Sequence, residues 1–174
     1  MRASDAVAML EGVDLASGGS TTWADLGSGD GTFTRALASR LAPGSVIHAV
    51  DHDERALRAI TARVGDTAIR THAADFTAHP WPFRDLDGIL MANSLHYVAR
   101  PADFIRGCAP YLRSGRFVVV EYDTNRANPW VPHPLDRDAL AAAFRRAGYA
   151  SIRFLGSRPS IYRRAALYAA VIEP

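Results

Sequence analysis

The sequence predicts an α/β fold: a doubly wound, mostly parallel sheet of seven strands with helices on both faces. Strand and helix signals alternate along the chain, a pattern typical of parallel strands joined by crossover helices. A glycine-rich turn at 27–31 joins the first strand directly to a helix. The last two strands have only a short connection, which requires an antiparallel pair and therefore reverses the final strand.

Apolar runs and helical periodicity define the individual elements. The predicted strands are 22–26, 46–50, 68–72, 88–92, 116–122, 149–155 and 166–172. The predicted helices are 4–15, 32–41, 54–64, 102–111 and 135–147. Ser4 and Asp53 are interpreted as caps of the first and third helices. The stretch after the third strand is read as loop, residues 17–20 as a linker and residues 156–160 as a turn region.

Length and composition predict one domain at 1–174, with an N-terminal helix and linker at 1–20 and a core at 21–174. A chain of 174 residues falls within the roughly 100–200 residues of a single domain. The single cysteine, Cys108, excludes an internal disulfide. We find no apolar leader and no run near the ~20 apolar residues of a membrane span. We therefore expect a cytoplasmic protein without a membrane partner.

Charge gives little information about a partner. The formal net charge is +2, too small to indicate nucleic acid by itself. Positive charge is concentrated in the last third, which fits a solvated surface or, alternatively, a site for an acidic substrate or partner. The arginines concerned are Arg137, Arg145, Arg146, Arg153, Arg158, Arg163 and Arg164. The oligomeric state is not specified by the sequence.

The glycine loop is the main functional signal. Glycine adopts positive φ and lets a ligand approach the backbone closely. A dinucleotide fingerprint needs glycine at its first, third and sixth positions, but Thr32 occupies the sixth position counted from Gly27. Asp51 ends the second strand about 20 residues beyond the loop, where a ribose-binding acid is expected. The pattern therefore favours a nucleoside ligand over NAD.

The chain resembles the class I S-adenosylmethionine-dependent methyltransferases, which have a Rossmann-like fold. Its first motif matches in full: Asp25-Leu26-Gly27-Ser28-Gly29-Asp30-Gly31. The later matches come in the family's order: Asp51-His52-Asp53, Asp75-Phe76, the strand 86–93 and Leu95-His96-Tyr97-Val98. The resemblance implies S-adenosylmethionine as cofactor and places the reversed last strand inside the sheet.

The resemblance also implies which residues bind the methyl donor. They are Asp25, Gly27, Ser28, Gly29, Asp51, His52, Asp75, Phe76 and Asn93. Asp25 and the Gly27 carbonyl would bind the ammonium group, and Asp51 the ribose hydroxyls. Asp75 and the Phe76 N–H would bind adenine. Three alternatives remain open: a helix cap for Asp51, an Asx-turn for Asp75 and a solvent-exposed side chain for His52.

Candidates for catalysis and acceptor binding follow the fourth and fifth strands. His96 is the first candidate for a general base, because imidazole titrates near neutral pH, and Glu121 is the second. His96 could instead pack behind the site. Tyr122 and Trp130 are interpreted as acceptor-side residues, although Trp130 could cover a neighbouring helix. The histidines lack the short paired spacings of a zinc site and have no cysteine partner, so no metal is predicted.

The sequence thus predicts a methyltransferase that acts by in-line displacement on a small-molecule acceptor. Alternatives are a catalytically silent S-adenosylmethionine-binding module and a methyltransferase of protein or nucleic acid. An NAD-dependent oxidoreductase is less favoured because of Thr32.

Overall fold

The computed structural model describes residues 2–15, 18–159 and 165–174. Its eight strands are β1 Thr22–Leu26, β2 Val46–Asp51, β3 Arg63–Val64, β4 Thr67–Ala73, β5 Leu86–Ala92, β6 Leu112–Tyr122, β7 Ser151–Pro159 and β8 Ala166–Glu173. Its α-helices are α1 Ala3–Met9, α2 Thr32–Ala38, α3 Glu54–Leu57, α4 Pro101–Cys108 and α5 Arg137–Arg146. Short 3-10 turns occur at Leu95–Tyr97 and Ala109–Tyr111.

The strands form one mixed sheet in the order β3-β4-β2-β1-β5-β6-β8-β7. β4, β2, β1, β5 and β6 are parallel, and β8 lies antiparallel between β6 and β7. The predicted final hairpin and its reversed, inserted strand are therefore confirmed. Because β6 ends at Tyr122, opposite Leu167 of β8, the start of β8 lies at the edge where the parallel strands end.

The eighth strand, β3, is a correction to the predicted seven. A helix was expected at 54–64, but α3 ends at Leu57, and Arg63–Val64 pair antiparallel with β4. Gly65 has a φ of 54° and, with Asp66, forms a two-residue connection between Val64 and Thr67. Such a turn favours a hairpin over a continued helix. The apolar periodicity of this segment was therefore read as helix where the turn residues specify a strand.

Capping was predicted correctly at one helix and wrongly at another. Asp53 caps α3, since its Oδ1 accepts hydrogen bonds from the N–H groups of Arg55 at 2.8 Å and Ala56 at 3.3 Å. Ser4 is not a cap, because Arg2 precedes α1 and Ser4 lies in its first turn. α1 ends at Met9 rather than at residue 15, and Gly12 follows with a φ of 85°.

Other boundaries also differ from the prediction. β6 begins at Leu112, and β7 continues to Pro159, so 156–159 are strand rather than turn. The loop expected after the third predicted strand is present between β4 and β5. Several sequence-based assignments fall outside the described residues: Ser17 of the linker, Ser160 of the turn region, Arg163 and Arg164.

Apolar layers cover both faces of the sheet, as the doubly wound prediction requires. Alternate residues of β6 face opposite layers, Phe117 and Val119 on one side, Val118 and Val120 on the other. The first layer includes α4 and α5, and the second includes α1 and α2. Among the described residues, no helix has the length and apolar character needed to cross a membrane.

Candidate methyl-donor and acceptor site

The glycine loop lies against the end of β2. The Val50 carbonyl accepts hydrogen bonds from Gly27 N at 2.8 Å and Ser28 N at 3.0 Å. Asp51 Oδ2 accepts from Gly29 N at 2.7 Å. All three loop glycines have positive φ, at 79° for Gly27, 53° for Gly29 and 80° for Gly31. The loop thus has the left-handed backbone for which its glycines were predicted.

Each loop glycine has different surroundings. A Cβ on Gly27 would lie 2.5 Å from Ser94 Cβ, and one on Gly31 would lie 2.7 Å from Ile60 Cγ1. A Cβ on Gly29 would meet no atom of the described residues within 4 Å. Gly27 and Gly31 therefore allow close internal packing. Gly29 faces open space, where a ligand can approach the backbone.

Asp51 links this loop to the start of α3. It is buried, and its Oδ1 accepts a hydrogen bond from Asp53 N at 2.9 Å. Each carboxylate oxygen has a second lone-pair direction, so both can accept a further hydrogen bond from a ligand hydroxyl. The neighbouring His52 side chain is 87% exposed, with Nδ1 3.5 Å from Asp51 Oδ1.

Asp25 is a buried carboxyl group at the end of β1. Thr34 Oγ1 donates a 2.6 Å hydrogen bond to Oδ2, while Oδ1 is buried without a partner among the described residues. Burial raises the pKa of Asp25 to about 7; the bond from Thr34 opposes this rise, and the negative charge of Asp51 adds to it. Asp25 therefore gains stabilisation from any cation that reaches Oδ1.

Two further polar atoms near β1 and β5 are buried without a partner among the described residues: Ser28 Oγ and Asn93 Oδ1. Asn93 follows β5 with a φ of 56°, and its N–H donates to the Val120 carbonyl at 2.8 Å. An unsatisfied buried polar group costs about 1–3 kcal/mol. With Asp25 Oδ1 they suit a ligand that offers N–H and O–H donors, and S-adenosylmethionine has both.

Asp75 forms the Asx-turn that was its alternative role. Its Oδ1 accepts from Thr77 N at 2.8 Å and Thr77 Oγ1 at 2.7 Å, and the bond from the Thr77 side chain lowers the pKa of Asp75. The Phe76 side chain is buried in the core, and its carbonyl accepts from Trp81 Nε1 at 3.0 Å. The backbone N–H, the group predicted to bind adenine, is therefore the part of Phe76 that remains for a ligand contact.

His96 and Glu121 form a buried pair across the ends of β5 and β6. Their side chains are 2% and 1% exposed, with His96 Nδ1 2.7 Å from Glu121 Oε2. The other oxygen, Oε1, accepts from His96 N at 3.1 Å. An ionised carboxylate only accepts, so Nδ1 carries the proton of this bond and Nε2 of the neutral ring is unprotonated.

Tyr97 is a crevice residue that the sequence analysis did not single out. Its side chain is 52% exposed, and its ring centroid lies 4.4 Å from that of His96. Partial burial raises the pKa of the Tyr97 phenol, as do the negative charges of Glu121 and Asp51. Its position directly after His96 in the matched segment was the available signal, but exposure cannot be read from sequence.

The two predicted acceptor-side residues have different environments. Tyr122 ends β6, is half-buried, and has its ring centroid 6.1 Å from that of His96. Trp130 is 79% exposed, so it does not cover a helix. Asn128 Oδ1 fixes its loop by accepting from Trp130 N at 2.9 Å and Val131 N at 3.1 Å. Tyr122 thus lies beside the buried pair.

Metal ligands are not grouped within the part of the chain that the structure describes. There, no three side chains of His, Cys, Asp or Glu cluster as a metal site would require. His48 Nδ1 and His72 Nε2 lie 2.9 Å apart, close enough to hydrogen-bond to each other.

Comparisons with known proteins agree with this geometry. A family model described as "Methyltransferase domain" matches residues 24–115. The chain is 31% identical over 153 residues to a trans-aconitate 2-methyltransferase of Mycolicibacterium gilvum; the match covers 85% of this chain and 54% of that protein. The chain therefore spans about half the length of this relative.

Solved structures show the same fold. The YcgJ protein of Bacillus subtilis has a TM-score of 0.71 at 13% identity, with 98% of each chain covered. An S-adenosylmethionine-dependent methyltransferase of Mesorhizobium loti has a TM-score of 0.67 at 19% identity, covering 98% of this chain and 96% of that one. Magnesium protoporphyrin IX methyltransferase of Synechocystis, solved with bound S-adenosylmethionine, has a TM-score of 0.65 at 13% identity, covering 99% and 78%.

Proposed function

Because the chain belongs to the S-adenosylmethionine-dependent methyltransferase family, we propose that it transfers the donor's methyl group to a small-molecule acceptor. One observation carries this proposal: the unpartnered buried atoms of Asp25, Ser28 and Asn93 lie at strand ends beside an open glycine loop. The relative named for trans-aconitate, a small molecule, supports the acceptor class.

The donor is held by the ends of β1, β2 and β5 and by the turn after β4. Asp25 Oδ1 and the Gly27 carbonyl bind the ammonium, and Asp51 accepts from the ribose hydroxyls. Asp75 binds adenine through Oδ2, the oxygen that its Asx-turn does not use. The Phe76 N–H also binds adenine, and His52 lies against its face. Ser28, Gly29 and Asn93 complete the donor site. The donor supplies a methyl group already activated by a sulfonium.

His96 acts as the general base for acceptors that must lose a proton. Its Nε2 takes the proton while the acceptor's electron pair forms the new bond to the methyl carbon, and the carbon–sulfur pair returns to sulfur. Glu121 positions the ring and stabilises the imidazolium through the 2.7 Å contact at Nδ1. Such a pair contributes about 10²–10⁴-fold to a rate. Tyr122 and Trp130 line the acceptor side.

Binding and transfer are tested separately. By calorimetry we expect micromolar affinity for S-adenosylmethionine and S-adenosylhomocysteine and far weaker binding of NAD. Comparable or tighter binding of NAD would contradict the assignment of the donor. Labelled methyl transfer to a panel of small acceptors then tests activity. Donor binding without transfer to any of them would favour a silent module, and transfer only to protein or nucleic acid would overturn the small-molecule class.

A further inference from the structure

Tyr97 is an exposed aromatic residue on a firmly held turn. Ser94 Oγ donates to the Leu26 carbonyl of β1 at 2.6 Å. His96 N donates to Glu121 of β6 at 3.1 Å, and the His96 carbonyl accepts from His133 N at 3.0 Å. The turn Leu95–Tyr97 is thus tied to two strands and to the loop after β6. A backbone held in this way loses little conformational entropy when a ligand packs on the side chain that it carries.

Tyr97 lies on the turn that follows β5. Asp51 ends β2 and Glu121 lies near the end of β6, and β1 and β5 lie between those two strands. Ser94, directly before the turn, bonds to the Leu26 carbonyl at the end of β1, and the Tyr97 ring centroid lies 4.4 Å from that of His96. The turn therefore lies at the ends of the two middle strands. These ends carry the glycine loop and Asn93, where donor and acceptor must meet.

Trp130 is the second exposed aromatic residue on this side of the sheet. Tyr97 and Trp130 are the large hydrophobic side chains exposed among the described residues, at 52% and 79%. Their two segments are joined by the bond from His133 N to the His96 carbonyl. An exposed aromatic ring beside the buried polar pair favours a flat ligand, because stacking adds about 0.5–1.5 kcal/mol beyond area burial.

We propose that Tyr97 is an acceptor-contacting residue whose ring stacks on a flat, unsaturated acceptor beside His96, with Trp130 on the acceptor's outer side. This inference rests on the proposed methyltransferase function and adds the chemical class of the acceptor. Stacking on Tyr97 holds the acceptor's nucleophilic atom near His96, and a saturated, puckered molecule of equal size makes poorer contact with the ring.

The test measures binding of acceptor-like probes to the complex with S-adenosylhomocysteine by ligand-observed NMR. The flat probes are 4-hydroxycinnamate and 2-naphthol, and the saturated probes are their fully hydrogenated ring analogues. We expect each flat probe to bind at least fivefold more tightly than its saturated analogue. Tyr97→Ala should abolish this preference, and Tyr97→Phe, which keeps the ring, should retain it. Both variants should bind S-adenosylhomocysteine like the wild type.

Equal binding of flat and saturated probes, or no binding of any flat probe, would overturn the inference. So would a preference that survives in Tyr97→Ala. Failure of the proposed function is separable, because it appears as loss of S-adenosylhomocysteine binding by the wild type before any probe is added. If Tyr97→Ala fails to fold, Tyr97→Leu, which keeps apolar bulk without a ring, is expected to lose the same preference.

Discussion

At the scale of single residues, Asp25 couples donor binding to pH. Burial raises its pKa to about 7, so the carboxyl is largely protonated below that pH and must ionise to pair with the donor's ammonium. We expect affinity for S-adenosylhomocysteine to fall as the pH drops below about 7, by up to ~10-fold per pH unit. Above pH 7 the affinity should level off.

Calorimetry in buffers of different ionisation enthalpy checks this coupling. At pH 6, binding should release close to one proton from the wild type and none from Asp25→Asn, which keeps the shape of the side chain. A wild type that releases no proton at pH 6 would mean that Asp25 stays protonated or does not meet the ammonium.

The buried pair His96 and Glu121 makes a second residue-scale prediction. His96→Gln should lower kcat by about 10²–10⁴-fold, with donor affinity within twofold. Glu121→Gln should give a smaller loss of kcat. His133→Gln is the matched control, because that side chain is exposed. Parallel losses of donor affinity and melting temperature in His96→Gln would instead assign the pair to packing.

His96 and Glu121 are far apart in the sequence, and this separation explains why their pairing could not be predicted. The donor-binding candidates at 25–31 and Asp51 follow a motif with fixed spacing, so they could be proposed from the sequence. His96 and Glu121 meet only because β5 pairs with β6 and the turn after β5 returns to the sheet edge. The exposure of Tyr97 depends on the same turn. Local sequence patterns therefore could not predict this exposure.

At the scale of elements, the central strands were predictable because buried parallel strands are continuous apolar runs. β1 matches its predicted bounds, and β2, β4 and β5 differ by one or two residues at an end. The start of α3 and its Asp53 cap were predicted, but its end at Leu57 and the strand β3 were not, because the two-residue turn at Gly65 and Asp66 overrides the periodicity of 54–64. Turn residues determine where the short elements α3 and β3 begin and end, whereas apolar patterning determines the position of the longer central strands.

Two variants of the glycine loop, Gly27→Ala and Gly29→Ala, test whether each glycine is needed for packing or for ligand binding. Gly27→Ala would place Cβ 2.5 Å from Ser94 Cβ, so we expect it to lose about 1–3 kcal/mol of stability and several degrees of melting temperature. The Cβ added in Gly29→Ala would meet no described atom within 4 Å. This variant should therefore have a melting temperature much closer to that of the wild type. It should bind S-adenosylhomocysteine at least tenfold more weakly. Equal melting losses, with unchanged donor affinity in Gly29→Ala, would refute a ligand face at Gly29.

At the scale of the whole molecule, the sheet acts as a scaffold that brings distant polar residues to one edge. Apolar layers on both faces fix the strands, and function is left to side chains and turns that follow β1, β2, β4, β5 and β6. The fold is shared with solved structures at identities as low as 13%. The order of the strands can therefore be kept while most of the side chains change.

The most direct test of the donor site is the affinity for S-adenosylhomocysteine of two neighbouring aspartate variants. Asp51→Ala removes an acceptor of ligand hydroxyls and of Gly29 N, so at about 1.5–3 kcal/mol for a charged hydrogen bond we expect at least a tenfold loss. Asp53→Ala removes only the α3 cap and should bind within twofold of the wild type. Wild-type affinity in a folded Asp51→Ala variant would contradict the account.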